Sequence, residues 1–491
     1  MDRVKRALTD TLTAAVRRAA AAEGWPEVPL PEVQWEYPPD PAFGDVSTPV
    51  SFSLAKLLRR SPRDIAAAVQ RAMAPDPALV EKVVVAGAGY VNLFIAKRWW
   101  QGIIRTVLAA GEAYGRAELG RGQRVQVEFV SANPTGPLHV GHGRGAAVGD
   151  ALANLLSAVG YDVEREFYIN DAGTQVRLLG ESIWARILEA AGQPVTFPEH
   201  GYHGDYVRDL AAQVVAVPGL EQMEADRAIR ACTEWGSAVL LDEIKADLRN
   251  FGVVFDAWFS ERSLFDDGRV DDVLARLRER GYLYEDGTAI GFRASEFGDE
   301  KDRILIRSTG EPTYFTSDIA YHDHKIRRGF DRLINIWGAD HGGYIPRVKA
   351  AIHALGYDPD ILQVILLQMV RVLRAGQPVP MSKRSGQFVE LREVVSEVGK
   401  DAARFLFLTR RSESQLDFDI EVAKRQSMDN PVYYVQYAHA RGCSMARKAD
   451  EAGLPGPYAD ADVSASAYGP GSPASSAFRA MLQPRACAYC T

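Results

Sequence analysis

The chain has 491 residues, of which 47% are hydrophobic and 25% are charged, and its formal net charge is −7. This length allows two to four domains, and no apolar run approaches the roughly 20 residues that a membrane-spanning helix needs. The net charge does not indicate nucleic-acid binding, although local basic patches could still provide it. The four cysteines include a single CxxC, which argues against a zinc or redox site, and we expect a reducing, cytoplasmic location.

Residues 1–95 predict a small α+β domain. Apolar side chains repeat at helical spacing over residues 4–16, which predicts a first helix with a buried stripe. Two apolar runs, residues 83–85 and 90–94, predict strands that follow the helices. By themselves these residues indicate no function, and each of them could serve packing alone. Residues 96–119 are the predicted connector to the next domain.

The next stretch predicts a strand, a helix and a second strand. Apolar and polar residues alternate over residues 125–130, a period-2 pattern that is typical of a strand. A helix follows, with an apolar face that includes Leu152 and Leu155 and with Gly160 placed to end it. Residues 163–169 predict the second strand, so the stretch is a βαβ unit.

The turn between this strand and its helix, residues 131–142, combines Pro, Gly and polar side chains. His139 and His142 stand where the loop enters the helix, and Gly141 and Gly143 would let a ligand approach the backbone. Because a helix N-terminus favours anions, this position suits a nucleotide phosphate. Two other interpretations stay open: a structural turn, and a loose dinucleotide-binding fingerprint. The fingerprint fits poorly, because about ten residues separate the strand from the first glycine.

A long and mostly helical insertion, about residues 177–250, separates the two halves of the predicted sheet. Apolar residues at helical spacing begin it, and most of its charges are expected on solvated faces. The segment Tyr202-His203-Gly204-Asp205-Tyr206 interrupts the helical pattern. The residues alone assign no role to this segment.

A second βαβ unit lies between residues 333 and 367. Residues 333–337 predict a buried strand, a helical apolar face follows, and residues 363–367 predict the next strand. The loops at the carboxyl ends of parallel strands are where such sheets bind ligands. Asp340 and His341 fall in such a loop, although a lone histidine there could equally be structural.

Two later segments carry charge and aromatic side chains. Pro380-Met381-Ser382-Lys383-Arg384-Ser385-Gly386 sets small residues around cations. Such a loop suits a mobile flap that brings positive charge to a leaving pyrophosphate, although a basic loop alone is usually solvated surface. Residues 430–441 predict a tyrosine-rich helix that could stack RNA bases or pack inside a helical bundle.

These motifs carry a resemblance. His139-Val140-Gly141-His142 resembles the HIGH signature of class I aminoacyl-tRNA synthetases, and the string from Ser131 to His142 is similar to the arginyl-tRNA synthetase family in particular. The loop at Lys383 resembles the KMSKS loop of this class, with Pro380 in place of the first lysine. The resemblance implies catalytic roles for His139, His142 and Lys383. The ATP-binding residues that it implies are Gly141, Gly143, His341, Met381, Ser382 and Lys383.

The same resemblance implies a pocket for an arginine side chain. A guanidinium is planar and always charged, so a selective pocket needs buried carboxylates with a hydroxyl or aromatic neighbour. Without the resemblance, Asp318 could as well be a helix N-cap. The implied arginine-binding residues are Ser131, Asn133, His139, Glu261, Tyr314, Asp318 and Asp340. The implied tRNA-binding residues are Tyr433, Gln436 and Tyr437.

The fold class that we expect is α/β: a Rossmann-like parallel-sheet catalytic domain with an N-terminal α+β domain and a partial C-terminal α-helical domain. The resemblance implies that residues 1–95 contact tRNA and that residues 120–410 are catalytic. It also implies that residues 411–452 begin an anticodon-binding helical bundle. Residues 453–491 are rich in Ala, Ser, Pro and Gly and are expected to be disordered. We therefore expect a C-terminally truncated or altered member of the family.

The expected function is a ligase that attaches L-arginine to tRNA(Arg) through an arginyl-adenylate formed from ATP. Mg²⁺ is implied by the triphosphate, although the sequence shows no dedicated cluster of metal ligands. We expect a monomer that does not bind membranes. Two alternatives stay open: a nucleotidyltransferase of the same superfamily with another substrate, and an impaired chain that only binds ligand or RNA.

Overall fold

A computed structural model describes residues 2–214, 219–220, 223–379, 388–427 and 430–453. The chain divides into two compact units, unit 1 with residues 1–115 and 435–491 and unit 2 with residues 116–434. None of the helices in the described segments is both long and apolar enough to cross a bilayer.

Unit 1 pairs helices with a small antiparallel sheet, as an α+β domain does. The predicted buried stripe of the first helix is confirmed, because Leu8, Leu12 and Val16 are at most 3% exposed. The sheet has the strand order β1-β3-β2, and its first strand was not predicted. The elements of unit 1 before residue 116 are α1 (Asp2–Ala22), β1 (Val46–Thr48), α2 (Val50–Leu58), α3 (Pro62–Ala72), β2 (Val80–Ala86), β3 (Tyr90–Ile95) and α4 (Lys97–Ala110).

Unit 2 contains the remaining strands and all but one of the remaining helices of the described chain. The strands are β4 (Arg124–Glu128), β5 (Asp162–Ile169), β6 (Ala257–Ser260), β7 (Leu283–Asp286), β8 (Ala289–Phe292), β9 (Arg303–Ile306), β10 (Arg332–Gly338), β11 (Leu362–Leu367), β12 (Val370–Arg374), β13 (Gln377–Pro378) and β14 (Leu416–Asp419). The helices are α5 (Val140–Ala158), α6 (Thr174–Ala190), α7 (Asp205–Val214), α8 (Ala225–Asn250), α9 (Arg262–Asp266), α10 (Arg269–Glu279), α11 (Tyr314–Arg327), α12 (Ile345–Ala354), α13 (Leu391–Val398), α14 (Lys400–Phe407) and α15 (Ile420–Lys424). A last helix, α16 (Pro431–Glu451), crosses the boundary between the units.

Five parallel strands form the central sheet in the order β11-β10-β4-β5-β6. From β4 the chain proceeds outward through β5 and β6, and it then returns to the other side of β4 to add β10 and β11. This is the doubly wound order, in which the strand order reverses between β4 and β10. The predicted α/β fold and both βαβ units are therefore confirmed.

Helix α5 is present where it was predicted, but its expected apolar face is not the most deeply buried one: Val148, Leu152 and Leu156 on it pack against the core while staying partly exposed. Leu155 on that face is 66% exposed, and Leu152 is only partly buried. The buried face instead consists of glycines and alanines together with Arg144 and Asp150. Small residues are needed there because the helix lies close to the sheet: a Cβ atom on Gly149 would come within 2.2 Å of the Phe129 ring.

Two smaller sheets and a helical insertion complete unit 2. Strands β7, β8 and β9 form an antiparallel sheet, whereas β12 pairs with β13 in antiparallel and with β14 in parallel fashion. Helices α6, α7 and α8 make up the predicted insertion and share one apolar core. The crossing of α6 and α8 is close, because a Cβ atom on Gly180 would meet the Thr233 side chain at 1.9 Å.

We predict that Gly149→Ala destabilises unit 2, because the added methyl group has no space against Phe129. Overpacking of this kind costs about 1–3 kcal/mol in the free energy of unfolding. Gly102→Ala is the matched control, since Gly102 is also helical and a Cβ atom there meets nothing within 4 Å. Urea unfolding followed by circular dichroism should show a lower midpoint for Gly149→Ala and an equal or higher one for the control. Equal midpoints for Gly149→Ala and the unsubstituted chain would contradict the close packing.

Candidate active site

The candidate site lies at the carboxyl edge of the parallel sheet. Ser131 and His139 follow β4, Asn170 follows β5, Glu261 follows β6, and Asp340 follows β10. Parallel strands end at the same edge of a sheet, and ligands bind there at the point where the strand order reverses. The topology therefore collects residues that are distant in the sequence.

His139 and His142 form a reciprocal cap at the start of α5. The backbone N–H of Gly141 donates to Nδ1 of His139 at 3.1 Å, and the backbone N–H of His139 donates to Nδ1 of His142 at 3.2 Å. The rings stack with their centroids 3.7 Å apart. Helix ends leave backbone N–H groups without helical partners, and a side chain three residues along can satisfy one of them. This explains the spacing of the two histidines.

The cap also determines which nitrogen of each imidazole carries the proton. Because both Nδ1 atoms accept hydrogen bonds, each neutral ring carries its proton on Nε2, where it is a donor. Both histidines are half-buried rather than enclosed in apolar packing. The positive end of α5 thus favours an anionic ligand beside the two imidazoles.

The histidine turn is paired with the segment that begins at Phe388. Leu391 N donates to Leu138 O at 2.8 Å, and Val140 N donates to Val389 O at 3.2 Å. These bonds fix the entry of the chain into α5. The predicted site residues Met381, Ser382 and Lys383 lie outside the described residues, and their roles stay predictions.

Gly141 and Gly143 have packing reasons to lack a side chain. A Cβ atom on Gly141 would come within 2.9 Å of the His139 ring, and one on Gly143 would come within 2.6 Å of Leu391. The N–H of Gly143 already donates to His139 O at 3.3 Å. Their contact with ATP stays a prediction.

Glu261 and Asp318 form the acidic part of the site. Glu261 is only 4% exposed and accepts a hydrogen bond from the Ser317 hydroxyl at 2.7 Å. The amide nitrogen of Asn170, oriented towards its acceptors, donates to the other oxygen of Glu261 at 2.9 Å. Asp318 accepts a short hydrogen bond from the Tyr344 hydroxyl. It lies inside α11 rather than at its N-cap, which is Thr313, so the alternative of an N-cap role is wrong.

Both carboxyl groups have raised pKa values. Burial raises the pKa of Glu261 to about 7, and the negative charges of Asp318 and Asp171 add to the shift. Burial also raises the pKa of Asp318 to about 6, with a further contribution from Glu128, against the lowering effect of the Tyr344 hydroxyl. Desolvation disfavours the charged form of a carboxyl group unless a cation is near.

In the part of the chain that the structure describes, Asp318 and Glu261 have no ion-pair partner, although the more distant charges of Lys325 and His341 oppose the rise in the pKa of Asp318. The hydrogen-bond partners that the described residues provide for the two side chains are hydroxyl and amide groups, those of Ser317 and Asn170 for Glu261 and that of Tyr344 for Asp318. Tyr168 lies among them, and its pKa is raised by burial and by Glu261 and Asp318. Tyr314 is 45% exposed, and its pKa is raised by burial and by Glu261, so it lies on the open side of the same cluster.

Behind this cluster lies a buried ion pair that the sequence analysis missed. Lys325 Nζ donates to Glu128 Oε2 at 2.5 Å and to Asn335 Oδ1 at 3.1 Å, and its side chain is 0% exposed. Glu128 accepts in addition from the Ser131 hydroxyl at 3.0 Å. The pair therefore supports the turn that carries Ser131. The only sign of this ion pair in the sequence was the charged residue Glu128 in a strand that is otherwise buried. Because apolar and polar residues alternate in that strand, the pattern favours a solvent-facing position for Glu128.

The network continues to Asp318 through His322. Burial and the neighbouring Lys325 lower the pKa of His322 to about 3, so this ring is neutral. Its Nδ1–H donates to the Asp318 carbonyl at 2.8 Å, and its Nε2 accepts from Asn335 Nδ2 at 3.1 Å. A chain of satisfied buried groups thus runs from the Ser131 turn to the Asp318 backbone.

The remaining predicted residues are less closely integrated. The amide of Asn133 donates to Gln175 on α6. Asp340 and His341 have side chains that are 83% and 63% exposed, with a separation of 3.6 Å between their nearest charged atoms. They lie at the carboxyl edge, and the charge of His341 acts on Asp318 and opposes the rise in its pKa.

The residues predicted to bind tRNA are all on α16. Gln436 and Tyr437 are exposed, and Arg441 donates to the Tyr437 hydroxyl at 3.1 Å one turn later. Tyr433 is half-buried. Their contact with RNA stays a prediction.

The doubly wound sheet and the paired histidines at its reversal point agree with the resemblance to class I aminoacyl-tRNA synthetases, and comparison with known families shows that the catalytic domain belongs to this class. The family model described as "tRNA synthetases class I (R), catalytic domain" matches residues 103–417. The model described as "Arginyl tRNA synthetase N terminal domain" matches residues 2–95.

The similar proteins are class I synthetases that are specific for one amino acid, arginine. The Arginine–tRNA ligase of Desulfosudis oleivorans is 50% identical over 450 residues, which cover 90% of this chain and 81% of that protein. The Arginine–tRNA ligase of Thioalkalivibrio sulfidiphilus is 49% identical and is covered over 78% of its length. The arginyl-tRNA synthetase structure of Thermus thermophilus shares the fold with a TM-score of 0.65, 24% identity and coverage of 97% of this chain and 85% of that one. The chain belongs to the arginyl-tRNA synthetase family, the arginine–tRNA ligases of class I.

We predict that Lys325→Met strongly destabilises unit 2, because it leaves Glu128 buried without its cation. Breaking a buried ion pair in this way costs about 3–5 kcal/mol. The double variant Glu128→Gln, Lys325→Met should lose less, since no unpaired charge remains. Lys349→Met is the control, because its ion pair with Asp360 is exposed and should contribute little. Urea unfolding of the four proteins measures these differences, and a loss for Lys325→Met no larger than that of the control would refute the structural role of the pair.

Proposed function

We propose that this chain activates L-arginine with ATP at the carboxyl edge of its sheet and then transfers the arginyl group to tRNA(Arg). The observation that carries the proposal is the acidic cluster of Glu261 and Asp318, which lacks a Lys or Arg partner in the described residues and lies beside a turn with two imidazole donors. The loop after β4 connects the acidic cluster with the histidine turn. Ser131 in this loop forms hydrogen bonds with Glu128 and with the backbone of Tyr168, and His139 in the same loop caps α5.

In the first step, a carboxylate oxygen of arginine attacks the α-phosphorus of ATP. The bond from that phosphorus to the bridging oxygen breaks, and pyrophosphate leaves with the electron pair. Negative charge grows on the phosphate oxygens in the transition state, so the Nε2–H donors of His139 and His142 stabilise it more than the ground state. Lys383 is proposed to add a cation on the pyrophosphate side. No covalent enzyme intermediate is needed.

The guanidinium of the substrate supplies the cation that the acidic cluster lacks. Glu261 and Asp318 offer carboxylate oxygens, and a planar guanidinium can donate to two carboxylates at once. Tyr314 is proposed to cover the side chain of arginine, and Ser131 and Asn133 to hold its amino acid end. A neutral side chain of the same shape would leave both carboxylates buried without compensation, and this explains the expected selectivity.

Mg²⁺ is proposed to accompany ATP rather than to occupy a protein cage. The donors at the start of α5 are imidazoles and backbone N–H groups, whereas Mg²⁺ prefers oxygen ligands. The phosphate oxygens would supply these ligands, and Mg²⁺ would offset part of the negative charge of the triphosphate. The protein residues then orient the phosphates.

In the second step, a hydroxyl of the terminal adenosine of tRNA attacks the arginyl carbonyl, and AMP leaves. Tyr433, Gln436 and Tyr437 are proposed to contact tRNA through base stacking and hydrogen bonds. Residues 1–95 are proposed to contact it as well, and the chain is proposed to act as a cytoplasmic monomer.

We predict that the chain catalyses arginine-dependent exchange of pyrophosphate into ATP, measured with and without bacterial tRNA. Citrulline, which has the shape of arginine but no charge, should support no exchange. Exchange with another amino acid but not with arginine would favour a different substrate. Absence of exchange under every condition would favour a chain that only binds its ligands.

The His139→Asn variant tests the catalytic role within the same assay. Asparagine is a strong N-cap, so it keeps the start of α5, but it cannot place a donor where Nε2 lies. Loss of one such donor should lower kcat by about 10²–10³-fold with little change in melting temperature. A kcat close to that of the unsubstituted chain would contradict the role of His139.

A further inference from the structure

The helical insertion contacts the catalytic turn through one tyrosine of the segment 202–206. Tyr206 is the second residue of α7, and its hydroxyl donates to the backbone carbonyl of Thr135 at 2.8 Å. Thr135 is 4% exposed and lies between Ser131 and His139 in the turn that leads to α5. The segment without an assigned role is therefore attached directly to the site.

The Tyr206 ring also covers Gly136. A Cβ atom on Gly136 would lie 3.1 Å from the Tyr206 hydroxyl oxygen and 3.3 Å from its Cζ atom. Burial raises the pKa of Tyr206 well above its usual value, so the hydroxyl stays protonated and remains a donor. The glycine and the tyrosine are thus complementary in both shape and hydrogen bonding.

Tyr206 is itself held in a fixed position. The residues that follow it on α7, Val207 and Leu210, are buried in the core that α7 shares with α6 and α8. The segment begins with Tyr202, whose backbone N–H donates to Ser182 on α6 at 3.0 Å. The insertion can therefore act as a rigid support for the turn.

The turn needs support because its start is strained. Val130 and Ser131 have φ angles of 70° and 39°, a region that residues with a side chain rarely adopt and that is most costly for a β-branched residue. Such a conformation costs on the order of 1–3 kcal/mol per residue and persists only where surrounding contacts enforce it. On one side the turn is held through Leu138 and Val140 by the segment 388–391. On the other side the contacts come from the insertion.

We propose that Tyr206 is a positioning residue for arginine activation. Through Thr135 and Gly136 it holds the turn so that His139 keeps the position that the reaction needs, and it acts through the turn because its hydroxyl is bonded to the Thr135 carbonyl. The inference rests on the proposed function for its catalytic consequence. The claim that Tyr206 restrains the turn stands on geometry alone.

The test compares Tyr206→Phe with Tyr202→Phe. Both variants lose one tyrosine hydroxyl from the same segment, but the described residues provide no hydrogen-bond partner for the Tyr202 hydroxyl. Tyr206→Phe should lower kcat for pyrophosphate exchange about 5–20-fold, in line with the loss of one buried hydrogen bond, and leave the KM for arginine within about twofold. Tyr202→Phe should leave kcat unchanged, and both variants should melt within a few degrees of the unsubstituted chain.

Gly136→Ala provides a coupled variant. Its methyl group should push against the Tyr206 hydroxyl and lower kcat at least as much as Tyr206→Phe does. In the Tyr206→Phe background the nearest atom is removed, so the two effects should be less than additive. Independent, multiplicative effects on kcat would overturn the contact between the two residues.

Backbone hydrogen exchange separates this proposal from the proposed function, because it needs no activity. Amides of residues 131–143 should exchange faster in Tyr206→Phe than in Tyr202→Phe, whereas those of the α6–α8 core should not change. Unchanged exchange in the turn would overturn the proposal, whatever the activity. Faster exchange in a chain that shows no arginine-dependent reaction would uphold the restraint and count against the proposed function alone.

Discussion

The structure of the site depends on the cost of burying carboxylates. Glu128, Glu261 and Asp318 lie around Tyr168, whose pKa is raised first by burial and then by all three of their charges. Lys325 neutralises Glu128, whereas Glu261 and Asp318 have only hydroxyl and amide partners among the described residues. Burial accordingly raises the pKa of both. A permanently charged, planar ligand such as the arginine side chain would relieve this cost.

The sheet topology and the buried polar chain place these groups. Lys325 and Glu128 are 197 residues apart in the sequence, and Ser317 and Glu261 are 56 residues apart, so neither contact is local. Each group of the chain from Ser131 to Asp318 has at least one hydrogen-bond partner within the chain, which favours a rigid arrangement. At the start of α5, the spacing of His139 and His142 follows from helix capping, and the Nδ1 atom of each ring accepts one backbone N–H of the cap.

Much of the fold could be predicted from the sequence because its signals are local. The stripe of α1 and the strands and helices of both βαβ units follow from periodicity, and the residues around His139 follow from a motif. The buried face of α5 could not be predicted in this way. Arg144 on that face is 1% exposed and donates to the carbonyls of Gln368, Arg411 and Ser414, which lie more than 200 residues away.

The site was predicted only in part for the same reason. Glu261 and Asp318 were indicated by the family resemblance, and the chemistry of a guanidinium agreed with them. Asn170, Ser317 and Tyr344 were not indicated, because nothing local distinguishes a hydroxyl or amide that will meet a distant carboxylate. Glu128 alternates with apolar neighbours like a solvent-facing strand residue, although β4 is buried on both faces. The burial of the Glu128 charge is explained by the central position of β4 in the sheet.

The most direct test of the account is the number of protons released when L-arginine binds. With pKa values of about 7 for Glu261 and about 6 for Asp318, the ligand-free site holds about one proton at pH 6.5. A bound guanidinium favours the charged carboxylates, so arginine should displace that proton. Titration calorimetry at pH 6.5 in buffers of different ionisation enthalpy should show release of about one proton per arginine, falling towards zero at pH 8.5. Arginine binding without proton release at pH 6.5 would contradict the account.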